Sequence, residues 1–207
     1  SDPKFLAASE KYMKQVGKQL APLQITKGGN VIMAQIENEY GSFGADHAYM
    51  KAVRDQITSA GFDVTLFTSD GPGAKNLDGG TLPNDLAVIN FGAGDNVADQ
   101  FKEFDKRWPD RPRMVGEYWV GWFDHWGETH HPLPPWGGNE KRVQHEVPAE
   151  GIDWMLSNNT SFNVYMFHGG TTWGFMAGAN STRDMPIQPD TSSYDYGSPL
   201  DEAGRPN

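Results

Sequence analysis

An α/β fold built around a parallel sheet is what this sequence predicts, and three observations carry that reading. Five short apolar runs recur along the 207 residues, stretches with helical spacing stand between them, and the runs do not alternate strictly between apolar and polar. Strands buried on both faces read this way, because helical crossovers cover both sides of a parallel sheet.

Taken in order, residues 3–23 place Phe5, Leu6, Tyr12, Met13, Val16 and Leu20 on one side of a helix and lysines on the other. Ser1 or Asp2 would cap it, with Pro3 in the first turn. The first strand is expected at 31–36. A second helix follows at 46–60, closed by Gly61 where helices end in a left-handed turn. Strands are expected at 64–68 and 87–91, with a glycine- and proline-rich loop of the kind that lines active sites between them. A helix at 97–108 leads to a strand at 113–119. A long loop holding Gly121, Gly127, Pro132, Pro134, Pro135, Gly137 and Gly138 precedes a helix at 140–157. The last strand, 162–167, ends in His168-Gly169-Gly170.

No domain boundary, fixed-period repeat or low-complexity tract interrupts the series. Five strands do not close a barrel, and an eight-stranded one takes about 250 residues. The count suits either the last five strands of a barrel without its first three, or a self-contained open sheet.

The bulk properties bound the function. A 37% hydrophobic fraction with 21% charged residues reads as soluble and globular. The formal charge of −10 leaves nothing to neutralise phosphates, so no nucleic-acid partner is expected. No run is long enough for a membrane span, and no charged start with an apolar block marks a signal peptide, although the N-terminus reads as internal. Zero cysteines exclude disulfides and thiolate chemistry and leave the compartment open, with a periplasmic or secreted location favoured. Seven Trp, seven Tyr and eleven Phe, many of them in loops after Glu117 and Phe167, could stack on the flat C–H faces of sugars as readily as fill a core.

Two strand ends carry chemistry. In Gln35-Ile36-Glu37-Asn38-Glu39-Tyr40-Gly41 an apolar run delivers acids into a glycine turn, and Arg113-Met114-Val115-Gly116-Glu117-Tyr118-Trp119 does so again. Loops at strand ends are where α/β barrels keep their catalytic groups. Two carboxylates there suggest glycoside hydrolysis, in which one protonates the leaving oxygen while the other attacks or activates water. Glu37 is a rival acid, because a simply alternating strand would put it on the face of Glu39. His125, His130 and His131 with Asp124 and Glu128 lack the i, i+4 spacing of a helical zinc site, so no metal or other cofactor is expected. Gly71-Pro72-Gly73-Ala74-Lys75 lacks the phosphate-loop spacing. Asn158-Asn159-Thr160 and Asn180-Ser181-Thr182 match the glycosylation pattern.

The Gln35–Gly41 block resembles glycoside hydrolase family 35, the retaining β-galactosidases. Gly116-Glu117-Tyr118-Trp119-Val120-Gly121-Trp122-Phe123-Asp124-His125-Trp126-Gly127 is similar to that family's nucleophile block. Tyr165-Met166-Phe167-His168-Gly169-Gly170-Thr171-Thr172-Trp173-Gly174-Phe175 and Ser193-Tyr194-Asp195-Tyr196-Gly197-Ser198-Pro199-Leu200-Asp201-Glu202-Ala203-Gly204 resemble its closing strand and following loop.

The resemblance implies a TIM (β/α)8 barrel of which residues 1–207 are the C-terminal five-strand part, strands 4 to 8. It implies a retaining exo-β-galactosidase acting on a β-galactoside oligosaccharide or glycoconjugate, with Glu39 as acid/base and Glu117 as nucleophile. Their separation equals three β–α units of about 26 residues, in keeping with a barrel of about 250 residues in eight units. The two carboxyls of a retaining pair lie about 5 to 5.5 Å apart. Asn38 would grip the 2-hydroxyl, and Trp119, Trp122, Phe175, Tyr194 and Tyr196 would surround the sugar.

The chain departs from the family at Thr171-Thr172-Trp173-Gly174, commonly Thr-Asn-Phe-Gly or Thr-Ser-Phe-Gly, and at Trp119, often tyrosine. The loops of the first three strands, which hold the 4- and 6-hydroxyl side of the sugar, are not in the chain. The missing remainder of the barrel is therefore an expected partner, and the chain alone is expected to be a poor enzyme with exposed sheet edges. A related glycosidase on another β-linked sugar and a catalytically silent carbohydrate-binding fragment are the competing readings.

Overall fold

The computed structural model describes residues 2–131, 145–182 and 185–207. Five strands form one sheet in sequence order: β1 (Met33–Gln35), β2 (Thr65–Asp70), β3 (Leu86–Gly92), β4 (Met114–Trp119) and β5 (Ser161–Tyr165). β1 and β2 pair in parallel with Gln35 opposite Phe67, and β2 and β3 pair in parallel with Asp70 opposite Ile89. Helices connect successive strands, as the expected α/β fold of barrel type requires. The chain divides into two compact units, Ser1–Ile89 with Glu103–Met114, and Asn90–Lys102 with Val115–Asn207.

The first unit opens with helix α1 (Pro3–Leu20), capped by Asp2, whose Oδ1 accepts from the amides of Lys4 at 2.7 Å and Phe5 at 3.2 Å. The reading of one helix to residue 23 is corrected at its end. Ala21–Leu23 tightens to a 3-10 turn, where Pro22 has no N–H to continue the α ladder. α2 (Tyr40–Phe43) is a short turn after β1, and α3 (His47–Ser59) is capped by Asp46 and followed by Gly61 at φ 100°. Ile36, Met50, Val53, Ile57, Phe62, Val64, Leu66 and Leu82 form this unit's core. Gln24 is wholly buried and fully used: its amide donates to the carbonyls of Ala21 and Gly61, and its oxygen accepts from Asp63 and Val64. That satisfaction lets a polar side chain sit inside the core.

The expected loop between β2 and β3 contains helix α4 (Ala74–Gly80). Its glycines are contact positions rather than breakers. A Cβ at Gly79 would fall 2.4 Å from the Gly44 carbonyl oxygen, and one at Gly41 would fall 1.8 Å from that of Asn76.

The expected helix at 97–108 is two pieces, α5 (Val97–Gln100) and α6 (Lys102–Arg107), separated at the wholly buried Phe101. In the second unit Phe101 stacks with Trp154 at 6.4 Å and meets Phe91 edge-on at 6.1 Å. Helix α7 (Glu146–Ser157) carries Gly151 against the Tyr118 hydroxyl. The expected start of this helix at Glu140, like Pro132, Pro134, Pro135, Gly137 and Gly138, lies outside the described residues. β5 stops at Tyr165, two residues short of the expected end, before a cis Tyr165–Met166 peptide. Two small antiparallel pairs follow: β6 (Gly170–Thr171) with β9 (Ser193–Tyr194), and β7 (Ala179–Thr182) with β8 (Met185–Pro189).

Candidate active site

Beyond Gln35 the first unit's chain leaves the strand. Glu37 and Glu39 adopt φ of 57° and 52°, a left-handed conformation uncommon outside glycine and often found where a turn is held for function. The simple alternation that would have put Glu37 on the face of Glu39 therefore does not occur. The backbone of Glu39 is anchored from both sides: its N–H donates to Ser69 O at 2.8 Å, and its carbonyl accepts from the amide and hydroxyl of Ser42 at 3.0 and 2.8 Å.

Glu37 is engaged at both carboxylate oxygens. Oε1 accepts from the Tyr49 hydroxyl and Oε2 from the Asn38 amide at 3.1 Å. Burial, followed by the Glu37 hydrogen bond and charge, pushes the Tyr49 hydroxyl well above the usual tyrosine range. Exposed Asn38 and half-buried Glu37 line a cavity of about 440 Å3 with Phe5, Tyr40, Phe43 and Tyr49.

Below this turn lies a carboxyl that the sequence reading missed. Asp70, at the end of β2, is 1% exposed and accepts the Gly41 amide at 2.8 Å. Burial raises its pKa to about 6; the Gly41 hydrogen bond opposes the shift, and the charge of Glu39 adds to it. Its position, a strand end before Gly71-Pro72-Gly73, is the same signature that exposed Glu39 and Glu117.

In the second unit Glu117 sits inside β4. Its amide donates to Asn90 Oδ1 at 3.0 Å, and its Oε2 accepts from the Trp119 indole at 2.9 Å. Residues two apart share a strand face, so the hydrogen bond follows from the pleat, while Tyr118 points the other way into the core. A ring system extends from Trp119 to Trp122 (6.2 Å), Tyr196 (5.8 Å) and Tyr194 (5.3 Å, stacked). Two rings the sequence reading did not select complete it. Phe123 stacks on Trp122 at 4.6 Å, and the Tyr165 and Tyr194 hydroxyls lie 3.2 Å apart. Burial first, then the Tyr165 hydrogen bond and charges that include Glu117, lift the Tyr194 hydroxyl well above its ordinary value.

Tyr196 is 2% exposed and packs as core; its carbonyl would lie 1.7 Å from a Cβ at Gly121. Phe175 is fully exposed. The structure thus gathers Glu117, Trp119, Trp122, Tyr194 and Tyr196 in one unit and Asn38 with Glu39 in the other.

The histidines pair with carboxylates. His125 Nδ1 meets Glu128 at 2.6 Å, and its Nε2 lies 2.9 Å from the Asn180 amide and 3.3 Å from Asp190. His130 meets Asp124 at 2.8 Å. The His125 hydrogen bond holds the Glu128 carboxyl below its ordinary pKa. Among the described residues no group of three or more His, Asp or Glu is placed to hold a metal ion, and no helix is long and apolar enough to cross a membrane.

The family model described as "Glycosyl hydrolases family 35" matches residues 1–207. The chain is 49% identical over 208 residues to a beta-galactosidase of Xanthomonas manihotis, covering 99% of this chain and 33% of that protein. A beta-galactosidase of Felis catus is 38% identical over 206 residues, covering 99% of this chain and 29% of that protein. The chain spans about a third of the length of the curated relatives it matches. Among solved structures, the Ignisphaera aggregans GH53 catalytic domain matches with a TM-score of 0.54 at 13% identity, covering 100% of this chain and 63% of that chain. That last likeness is one of fold, and it agrees with the barrel type.

Proposed function

We propose, because this chain belongs to glycosyl hydrolase family 35, that it carries the catalytic carboxylates of a retaining exo-β-galactosidase. Glu117 attacks the anomeric carbon of a terminal β-linked galactose, and Glu39 gives its proton to the departing glycosidic oxygen. Glu39, now charged, takes a proton from water. That water displaces Glu117 from the glycosyl-enzyme and releases galactose with its β configuration retained. Asn38 grips the 2-hydroxyl, and the rings of Trp119, Trp122 and Tyr194 present apolar faces to the sugar.

The observation that carries the reading is the Trp119–Glu117 hydrogen bond, which holds the carboxylate in one orientation two residues before the end of β4. A nucleophile held in this way needs little reorganisation when it attacks. The test is to incubate the natural full-length polypeptide with a 2-fluoro-galactosyl fluoride and map the labelled peptide. A label on Glu117 is expected. A label elsewhere, or inversion at the anomeric carbon in proton NMR of the product, overturns the assignment. Release of internal sugars from a β-galactan would overturn exo action.

A further inference from the structure

We propose that Gln35 is a positioning residue that decides which end of the Asn38 amide faces the substrate, so that Asn38 offers hydrogen-bond donors and not an acceptor. The inference rests on the reading of Asn38 as a residue that touches the sugar.

Amide oxygen and nitrogen have nearly the same shape, so their placement is decided by the hydrogen-bond network. Here a backbone carbonyl, which can only accept, decides it. Gln35 Nε2 lies 2.7 Å from the carbonyl oxygen of Glu37, so the group at that position is the NH2. The same NH2 lies 2.9 Å from Asn38 Oδ1 and so calls for an acceptor there. With Oδ1 turned toward Gln35 Nε2, the planar amide places Nδ2 on its other side. The remainder of the turn reinforces this. Glu37 receives the backbone N–H of Asn38 on one carboxylate oxygen and the Tyr49 hydroxyl on the other, which fixes the Asn38 backbone while Gln35 fixes its side chain.

The rival acid of the sequence reading is thus a strut. A sugar hydroxyl that meets Nδ2 accepts from it, which leaves the hydroxyl's own proton for a carboxylate. That arrangement suits the 2-hydroxyl beside the reacting carbon, where contacts strengthen in the transition state.

The test compares an aryl β-galactoside with its 2-deoxy analogue in the natural full-length polypeptide. The wild type is set beside N38A, Q35A and Q35E, and melting curves report folding. The carboxylate of Q35E only accepts, so it draws the Asn38 NH2 toward itself and turns Oδ1 outward. Expected for Q35E is a loss of about tenfold or more in kcat/KM on the galactoside, with little loss on the 2-deoxy substrate. Q35A removes the constraint without reversing it and should lose about threefold with the same bias. Adding Q35E to N38A should do no further harm, because both act through one amide. Equal losses on both substrates, or losses that multiply in the double variant, overturn the assignment of Gln35. If N38A itself leaves the ratio of the two substrates unchanged, the sugar-contact reading of Asn38 fails instead, and the inference falls with it.

Discussion

The indole nitrogen of Trp119 donates to Oε2 of Glu117 across 2.9 Å, on the same face of one strand. This contact joins the carboxylate to the ring system that runs through Trp122, Tyr196 and Tyr194. Charge-assisted bonds of this kind contribute about 1.5 to 3 kcal/mol, enough to choose one carboxylate rotamer over others.

Trp119→Phe keeps a ring in place and removes the N–H. The rate of glycosyl-enzyme formation should fall about tenfold to a hundredfold, while the melting temperature changes little. Pre-steady-state trapping of the 2-fluoro sugar measures that step alone. Unchanged trapping would mean that Glu117 is oriented by other partners.

Glu39→Ala should slow substrates with poor leaving groups most, because an activated aryl group departs without a proton. Added azide should restore turnover and yield β-galactosyl azide, since a small anion can attack the glycosyl-enzyme where no base activates water. Equal losses on both substrate types with no azide product would assign the acid role elsewhere. The geometry argues against Glu37 as that alternative, since its oxygens serve Tyr49 and Asn38.

How much of this was legible depended on the range of the interaction. α1 could be read because its apolar spacing, Asp2 cap and Pro3 are all local signals, and the five strands because each holds a short, mostly apolar stretch without strict alternation. α4 was hidden because Gly73, Gly79 and Gly80 look like breakers, whereas Gly79 is where the chain packs against the Gly44 carbonyl. Strand alternation failed at Glu37 and Glu39 because left-handed backbone there is set by tertiary anchors such as Ser69 O. Glu39 and Glu117 stood out as acids at expected strand ends, and Trp119 through the family resemblance. The Tyr49–Glu37 bond and the stacking of Phe123 on Tyr194 join positions with no periodic relation, and no sequence pattern announces them.

Gly41→Ala should weaken the fold around the candidate acid. Its Cβ would lie 1.8 Å from the Asn76 carbonyl oxygen, which belongs to backbone and cannot step aside, and the shift would strain the bond from the Gly41 amide to Asp70. Overpacking of this kind destabilises by about 1 to 3 kcal/mol. A drop in melting temperature should accompany lost activity, whereas activity lost at an unchanged melting temperature would mean the residue acts on chemistry alone.

Asp70→Asn tests the buried carboxyl through pH. Asp70 is 1% exposed, and its pKa rises from 3.8 to about 6 in the fold, chiefly through burial. The folded state therefore binds this proton more tightly than the unfolded chain. Its contribution to stability is fully present below about pH 4 and is lost as pH rises through about 6. A shift of about two pH units corresponds to about 3 kcal/mol between those limits, as an order of magnitude. Asparagine is neutral throughout and can still accept the Gly41 amide. Its stability relative to the wild type should rise between pH 4 and pH 7.5, as measured by denaturant midpoints at each pH. A difference that stays constant across that window would mean that Asp70 is no harder to charge in the fold than in the unfolded chain.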